Sequence, residues 1–436
     1  MALFRKASEL IVRLRSTYWF VPAAVTVLSM GLAIGLVYLD RSLGTDAWWL
    51  SWVYGGGADG ARALLSAVAG SVITVVSVTF SVLVVALTVS SQHFGPRLLN
   101  NFMHDNAAQA VLGTFTGTFA YCLIVLRTVT GELDDGPAFV PHVAITAGVL
   151  LTLVSVGMLI FYVHHVAVAL QVSQITANVA SELEGAIGRL YPDPFGGSID
   201  LAEPDPPPVP DDAVHITANA SGYVQHLDAA AVLAIAGRHD TVIWIIARPG
   251  AFVTPGSAVA AVHPPPRDLQ ALQRSFRRAL TLGADRTARQ DAAFAIQQLV
   301  EIALRALSPG VNEPFTAVTC VDRLRQGLTL LMSRRVPSAV RLDDAGRRRV
   351  VAPPLSVSEL LELAFDPIAR HTGQEITVAL RLLEALDQLR LAAQRPDQRA
   401  AVAAATDMTF RTLTRHIEDE TQLPRLSAIY ERARHA

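Results

Sequence analysis

The sequence predicts an α-helical membrane domain of four transmembrane helices, followed by a cytoplasmic α+β domain: a small β module, then a mainly helical region. Three observations predict it. Hydrophobic residues make up 51% of the chain and charged residues only 17%, against roughly a quarter charged in soluble domains. The apolar excess falls in the first ~170 residues, in four stretches long enough to cross ~30 Å of hydrocarbon. Beyond them come short β-branched runs and then amphipathic helical stretches.

The spans cover about residues 19–39, 61–91, 107–129 and 140–166, making 1–168 the transmembrane domain. Arg5, Lys6, Arg13 and Arg15 precede the first span against a lone Glu9. Positive charge stays inside, so the N-terminus is expected in the cytoplasm, and an even number of spans returns the C-terminus there. That leader lacks a short apolar core with a cleavage site and reads as a retained anchor. Of the outer loops, the first carries Trp48, Trp49, Trp52 and Tyr54, suited to the headgroup region. The second carries Glu132, Asp134 and Asp135. These acids either concentrate cations at a pore mouth or form a solvated turn with Gly131, Gly136 and Pro137.

The second span holds the most informative pattern. Ser66, Gly70, Thr74, Ser77, Ser81, Thr88 and Ser91 recur at spacings of three and four, interrupted only by Val84. At 100° per residue they share one helix face, opposite Val72, Val76, Val78 and Leu83. Thr79 and Ser90 break the pattern. Hydrocarbon offers hydroxyls no partner, so the row either lines a water-filled path or mediates helix packing. Gly70, Thr74, Ser77, Ser81, Thr88 and Ser91 are the candidate pore-lining positions. In the third span, Gly113 and Gly117 form a GxxxG spacing that predicts close helix packing.

A helical connector follows at 169–192, where Val172, Ile175, Val179, Leu183, Ile187 and Leu190 keep one apolar stripe. The stripe predicts docking on its own domain or pairing with other copies. A Pro/Asp-rich linker occupies 193–212. Residues 213–266 read as the β module, with strands over Ala213–Val224, Thr241–Ala247 and Phe252–Val262 and an Ala-rich helix between the first two. From 267 to 436 the chain reads as helical. One helix runs from about Asp285 to Leu307 and stops at Ser308-Pro309-Gly310; Asn312 caps the next, with Pro314 in its first turn. A short hairpin is expected around residues 342–346, and Ser356 with Glu359 forms a capping box.

Arg305, Ser308, Asn312 and Glu313 at that corner suit an anionic ligand held by helix amides and Arg305, with Glu313 opposing it. The same residues suit a plain helix–helix turn. His93, His104, His164 and His165 fall near the cytoplasmic face, where they suit either a pH sensor or plain interfacial residues, and no metal-ligand spacing accompanies them. Cys122 and Cys320 belong to different compartments and form no disulfide. Lys6 is the only lysine, which excludes a Walker-type phosphate loop and a lysine Schiff base in the soluble domain. GxSxG and HExxH are absent as well. No enzyme, cofactor or metal site is expected. A net charge of −2 without a basic, aromatic-studded run argues against nucleic acid.

Thr79-Phe80-Ser81, the run from Ser91 to Arg97 containing Phe94-Gly95-Pro96-Arg97, and Ser308-Pro309-Gly310-Val311-Asn312-Glu313-Pro314 together carry a likeness. Over most of its length the chain resembles a bacterial family of predicted membrane proteins catalogued as a domain of unknown function. The resemblance implies a bacterial inner-membrane protein and supplies no activity or site. Function is therefore argued from the residues. The leading expectation is a homo-oligomeric, cation-permeable channel lined by the second span and regulated by the cytoplasmic domain, with the lipid bilayer and inorganic cations as partners. The alternative is a membrane-anchored sensor or scaffold without conduction.

Overall fold

The computed structural model describes residues 19–43, 54–94, 106–131, 139–169, 171–191, 206–417 and 420–435. They fall into two compact units, Met1–Gln171 and Val172–Ala436.

The first unit is built from α1 (Phe20–Leu43), α2 (Ala58–Phe94), α3 (Asn106–Thr128) and α4 (His142–Ala169). All four are long and apolar enough to cross a membrane. α2 is longest at 37 residues, about 55 Å if straight. It exceeds the thickness of hydrocarbon and must tilt or project beyond it. α3 packs against the other three helices and buries Val111, Phe115, Tyr121, Cys122 and Val125. Its two predicted packing glycines face α1. A β-carbon on Gly113 would lie 3.1 Å from the Pro22 Cα, and one on Gly117 would lie 2.5 Å from the Ser29 Oγ. Close backbone approach of this kind brings polar groups within reach across helices. The Thr26 and Thr116 hydroxyls meet at 2.8 Å, and those of Thr118 and Ser155 at 3.0 Å. The Tyr121 hydroxyl donates to the Ala144 carbonyl at 2.7 Å.

One end of this bundle is tied by polar contacts between segments. The Asp40 carboxylate, near the end of α1, accepts from the backbone N–H groups of Val143 and Ala144 at 3.0 and 2.9 Å. It thereby satisfies first-turn amides of α4, which no intrahelical partner reaches. His142 Nδ1 contacts the Tyr54 carbonyl at 2.6 Å, and the Tyr54 N–H donates to Thr146 Oγ1 at 2.9 Å.

The second unit opens with α5 (Val172–Leu190), the predicted connector. Its stripe is buried within its own unit: Val179, Leu183 and Ile187 are fully inaccessible. Two sheets follow. The strands are β1 (Val214–Thr217), β2 (Gly222–Leu227), β3 (Val242–Ile245), β4 (Phe252–Val253), β5 (Ala258–His263), β6 (Leu280–Gly283), β7 (Val340–Leu342) and β8 (Arg348–Val351). One sheet has the order β1-β5-β3-β8-β7 and the other β4-β2-β6. The single strand predicted over Ala213–Val224 is thus two strands in different sheets. β6, β7 and β8 lie beyond residue 266, so the sheets reach past the predicted β module, and β6 draws on sequence expected to be helical. The hairpin expected around residues 342–346 is the β7–β8 turn, and β8 runs parallel to β3.

The helices of this unit are α6 (Ala229–His239), α7 (Leu269–Ala279), α8 (Ala292–Ala306), α9 (Pro314–Met332), α10 (Val357–His371), α11 (Ile376–Ala392), α12 (Pro396–Thr414) and α13 (Leu423–His435). Asp291, only 4% exposed, caps α8 by accepting from Phe294 N–H at 3.1 Å and pairs with Arg286 at 2.6 Å. α8 therefore starts at Ala292, several residues after the predicted Asp285, which lies in the preceding loop. The Ser356–Glu359 capping box opens α10 as expected. α5 lies against α9 where Gly327 leaves room: a β-carbon there would sit 2.5 Å from Leu183. Beside it, the Gln326 amide donates to Glu184 at 2.9 Å.

Candidate functional site

The hydroxyl row of α2 turns away from its own bundle. Ser66, Gly70, Thr74, Ser77, Ser81 and Thr88 are all exposed, while Ala61, Leu65, Ala69, Val72, Thr79 and Ala86 are buried. At 100° per residue the two sets are centred about 160° apart. Ser91 lies on α2, but its side chain falls outside the described residues. Of the residues expected opposite the row, Val72 is buried against α3 and α4, whereas Val78 is exposed.

Four hydroxyls of this row share one geometry. Thr74 donates to Gly70 at 3.0 Å, Ser77 to Ile73 at 3.1 Å, Ser81 to Ser77 at 3.0 Å and Thr88 to Val84 at 2.8 Å, each to the carbonyl four residues back. A hydroxyl has one proton and two lone pairs, so its proton is spent on the helix and its lone pairs remain to face outward. These four are satisfied as donors and present acceptor oxygen. Thr79, on the packed face, differs: its buried Oγ1 has no hydrogen-bond partner among the described residues. The acidic residues Glu132, Asp134 and Asp135 lie outside the described residues.

The Ser308–Glu313 corner is a tight connection between α8 and α9. Ser308 Oγ donates to the Arg305 carbonyl at 2.7 Å, and the Ser308 carbonyl accepts from Val311 and Asn312. The Glu313 N–H reaches back to the Ala306 carbonyl at 2.8 Å. Asn312 has φ 50, and Glu313 stands at the N-cap position, one residue later than predicted, with Pro314 first in the helix. Thr316 Oγ1 donates to the Glu313 carboxylate at 3.1 Å. The amides of Val311, Asn312 and Glu313 are therefore engaged within the turn. Phe315, 76% exposed, is its most prominent apolar side chain.

Among the histidines, His165 stacks on Phe161 at 5.6 Å and His164 is exposed. The His93 side chain and all of His104 lie outside the described residues. Among the described residues no group of three or more His, Cys, Asp or Glu side chains could hold a metal. Sequence reading missed Asp40 and His142, and gave Tyr54 a place in the headgroup region with no tie to α4. An acid at the end of an apolar stretch was the available signal for Asp40, but its cap on a distant helix leaves no mark in spacing.

Residues 15–388 match a family described as "Predicted membrane protein (DUF2254)". An uncharacterized protein of Mycobacterium bovis is 31% identical over 427 residues, covering 96% of this chain and 80% of the relative. An uncharacterized protein of Mycobacterium tuberculosis matches with the same identity and coverage. No solved structure matches.

Proposed function

We propose that this chain, which belongs to the DUF2254 family of predicted membrane proteins, forms a homo-oligomeric pore in which α2 of each copy turns its hydroxyl row to a shared, water-filled path. The observation that carries the proposal is the direction of that row: it lies opposite the face on which α2 packs in its own bundle. Packing within the chain therefore does not explain it. In an assembly around a central axis, the free lone pairs of Thr74, Ser77, Ser81 and Thr88 would line the path. Acceptor oxygens replace part of a cation's hydration shell and repel anions, so the permeant species is a cation. The acids at positions 132, 134 and 135 would add to this preference from the mouth. The bilayer is the bacterial inner membrane, with both termini and the second unit on the cytoplasmic side, where that unit biases opening.

Flux of a small monovalent cation into liposomes holding the purified full chain tests the proposal. Thr74→Leu, Ser77→Leu and Ser81→Leu should each lower it, because the added side chain replaces acceptor oxygen with hydrocarbon. Flux unchanged in all three would remove the row from the path.

One observation favours the non-conducting alternative. Each of these hydroxyls already donates to its own helix, and a back-bonded Ser or Thr is tolerated in membrane helices. A sensor or scaffold could then present the row to lipid or to another copy without water. Its liposomes would show no flux under any gating condition.

A further inference from the structure

Three arginines from three helices converge on one cleft in the second unit. Arg325 of α9, Arg381 of α11 and Arg432 of α13 line a cavity of about 420 Å³ together with Glu384, Asp387 and Gln388. That volume lies within the ~300–1,000 Å³ typical of small-molecule sites.

Ion pairing sorts these charges. Asp387 is held by Arg390 at 3.0 Å, with both side chains 14% exposed, so its charge is met from the side. Glu384 pairs with Arg381 at 3.2 Å. Asp322, at the edge of the cleft, lies 3.4 Å from Arg381 and 3.9 Å from Arg325. Among the described residues, three carboxylates in or beside the cleft thus meet four guanidinium groups, those of Arg325, Arg381 and Arg432, which line it, and Arg390 beside it. Arg432 is exposed and makes no ion pair among the described residues. Arg325 is engaged only at the longest of these distances. The cleft keeps a positive charge, concentrated on Arg432 and the loosely held Arg325.

We propose that this cleft binds a small phosphate-bearing anion, with the phosphate held between Arg432 and Arg325. The guanidinium fork matches phosphate oxygens two at a time, a geometry that ammonium groups lack. Gln388 and Glu384 are left to hydrogen-bond hydroxyls on the rest of the ligand. Among the described residues no aromatic ring lines the cleft, so a nucleobase finds no stacking platform among them. The ligand class is a phosphorylated polyol or a short inorganic phosphate, either free or as a lipid headgroup.

Calorimetric titration of the full chain in phosphatidylcholine nanodiscs tests this, with pyrophosphate and glycerol 3-phosphate as probes at fixed ionic strength. Saturable binding is expected. Arg432→Gln and Arg325→Gln should each weaken it about tenfold, the loss of one charge-assisted pair. Arg411→Gln, an exposed arginine on α12, should leave it unchanged. Arg432→Gln removes no ion pair among the described residues, so its folding serves as the safeguard and is checked by thermal unfolding. A second arm adds phosphatidic acid to the disc. Weakening of pyrophosphate binding by that lipid assigns the cleft to a headgroup; indifference to it assigns the cleft to a soluble phosphate. Absence of saturable binding up to about 10 mM, weaker than any useful affinity, would overturn the proposal. So would binding by both cleft variants as tight as that of the unaltered chain.

Discussion

Ser77 and Thr79 stand two positions apart on α2 and meet opposite surroundings. Ser77 is exposed, with its hydroxyl bonded to the Ile73 carbonyl at 3.1 Å. Thr79 is 6% exposed, its own hydroxyl unpartnered among the described residues, while the Tyr162 hydroxyl reaches its carbonyl at 3.5 Å. A buried hydroxyl without a partner costs about 1–3 kcal/mol. Thr79→Val keeps the shape and removes that cost, so it should leave stability unchanged or raise it by about 1 kcal/mol. Ser77→Leu should leave the bundle's unfolding within about 0.5 kcal/mol, as exposed substitutions do, while lowering flux. Thermal unfolding in detergent, read beside liposome flux, checks both.

Gly117 has no room for a larger side chain. Gly117→Leu drives carbon into Ser29 of α1 and should destabilise the bundle by about 3 kcal/mol, the upper end for overpacking. Gly157→Leu serves as the control, since nothing lies within 4 Å of a β-carbon there. Unfolding midpoints that shift equally for the two would refute the close contact.

Asp291 caps α8 and also neutralises Arg286. Asp291→Ala strands a largely buried guanidinium and an open helix end, and should cost about 3–5 kcal/mol. Chemical denaturation of the second unit within the full chain reads this. A loss under about 1 kcal/mol would show the pair to be a surface-type interaction.

Arg349, beside Asp343 at 2.8 Å, holds that carboxyl down at about 2. A carboxyl depressed in the folded state stabilises it above the ordinary carboxylate range. That contribution is lost as pH falls from about 4 toward 2. Arg349→Gln should raise the Asp343 titration midpoint toward its ordinary value, as read by carboxyl NMR, and should flatten the acid dependence of stability over that window. A titration unchanged by the substitution would deny the pairing.

Burial pushes the Cys320 thiol up to about 12, and both native cysteines are inaccessible. Neither should react with a water-soluble thiol reagent in the folded protein at neutral pH, and both should react after denaturation.

The four spans were legible because each announces itself by length and apolarity, and the Gly113–Gly117 spacing was legible because small residues four apart mean close approach. The stripe of α5 was legible by the same periodicity. The sheets were less so. β6 follows an arginine-rich helix and contributes only four residues, while β8 joins β3 across about a hundred positions that no local pattern links. Periodicity placed Thr74, Ser77 and Ser81 on one face of α2, but which face meets the neighbouring helices depends on α3 and α4 and had to come from packing. The arginine cleft was invisible for the same reason: positions 325, 381 and 432 share no spacing, and only the folding of three helices brings them together.

Accessibility of single cysteines along α2, in the full chain reconstituted in lipid with Cys122 and Cys320 replaced, tests the conducting proposal most directly. A water-filled path predicts labelling by a water-soluble thiol reagent at positions 74, 77, 81 and 88, and silence at 72 and 79. Equal silence on both faces, in every state that the protein can be driven into, would contradict it.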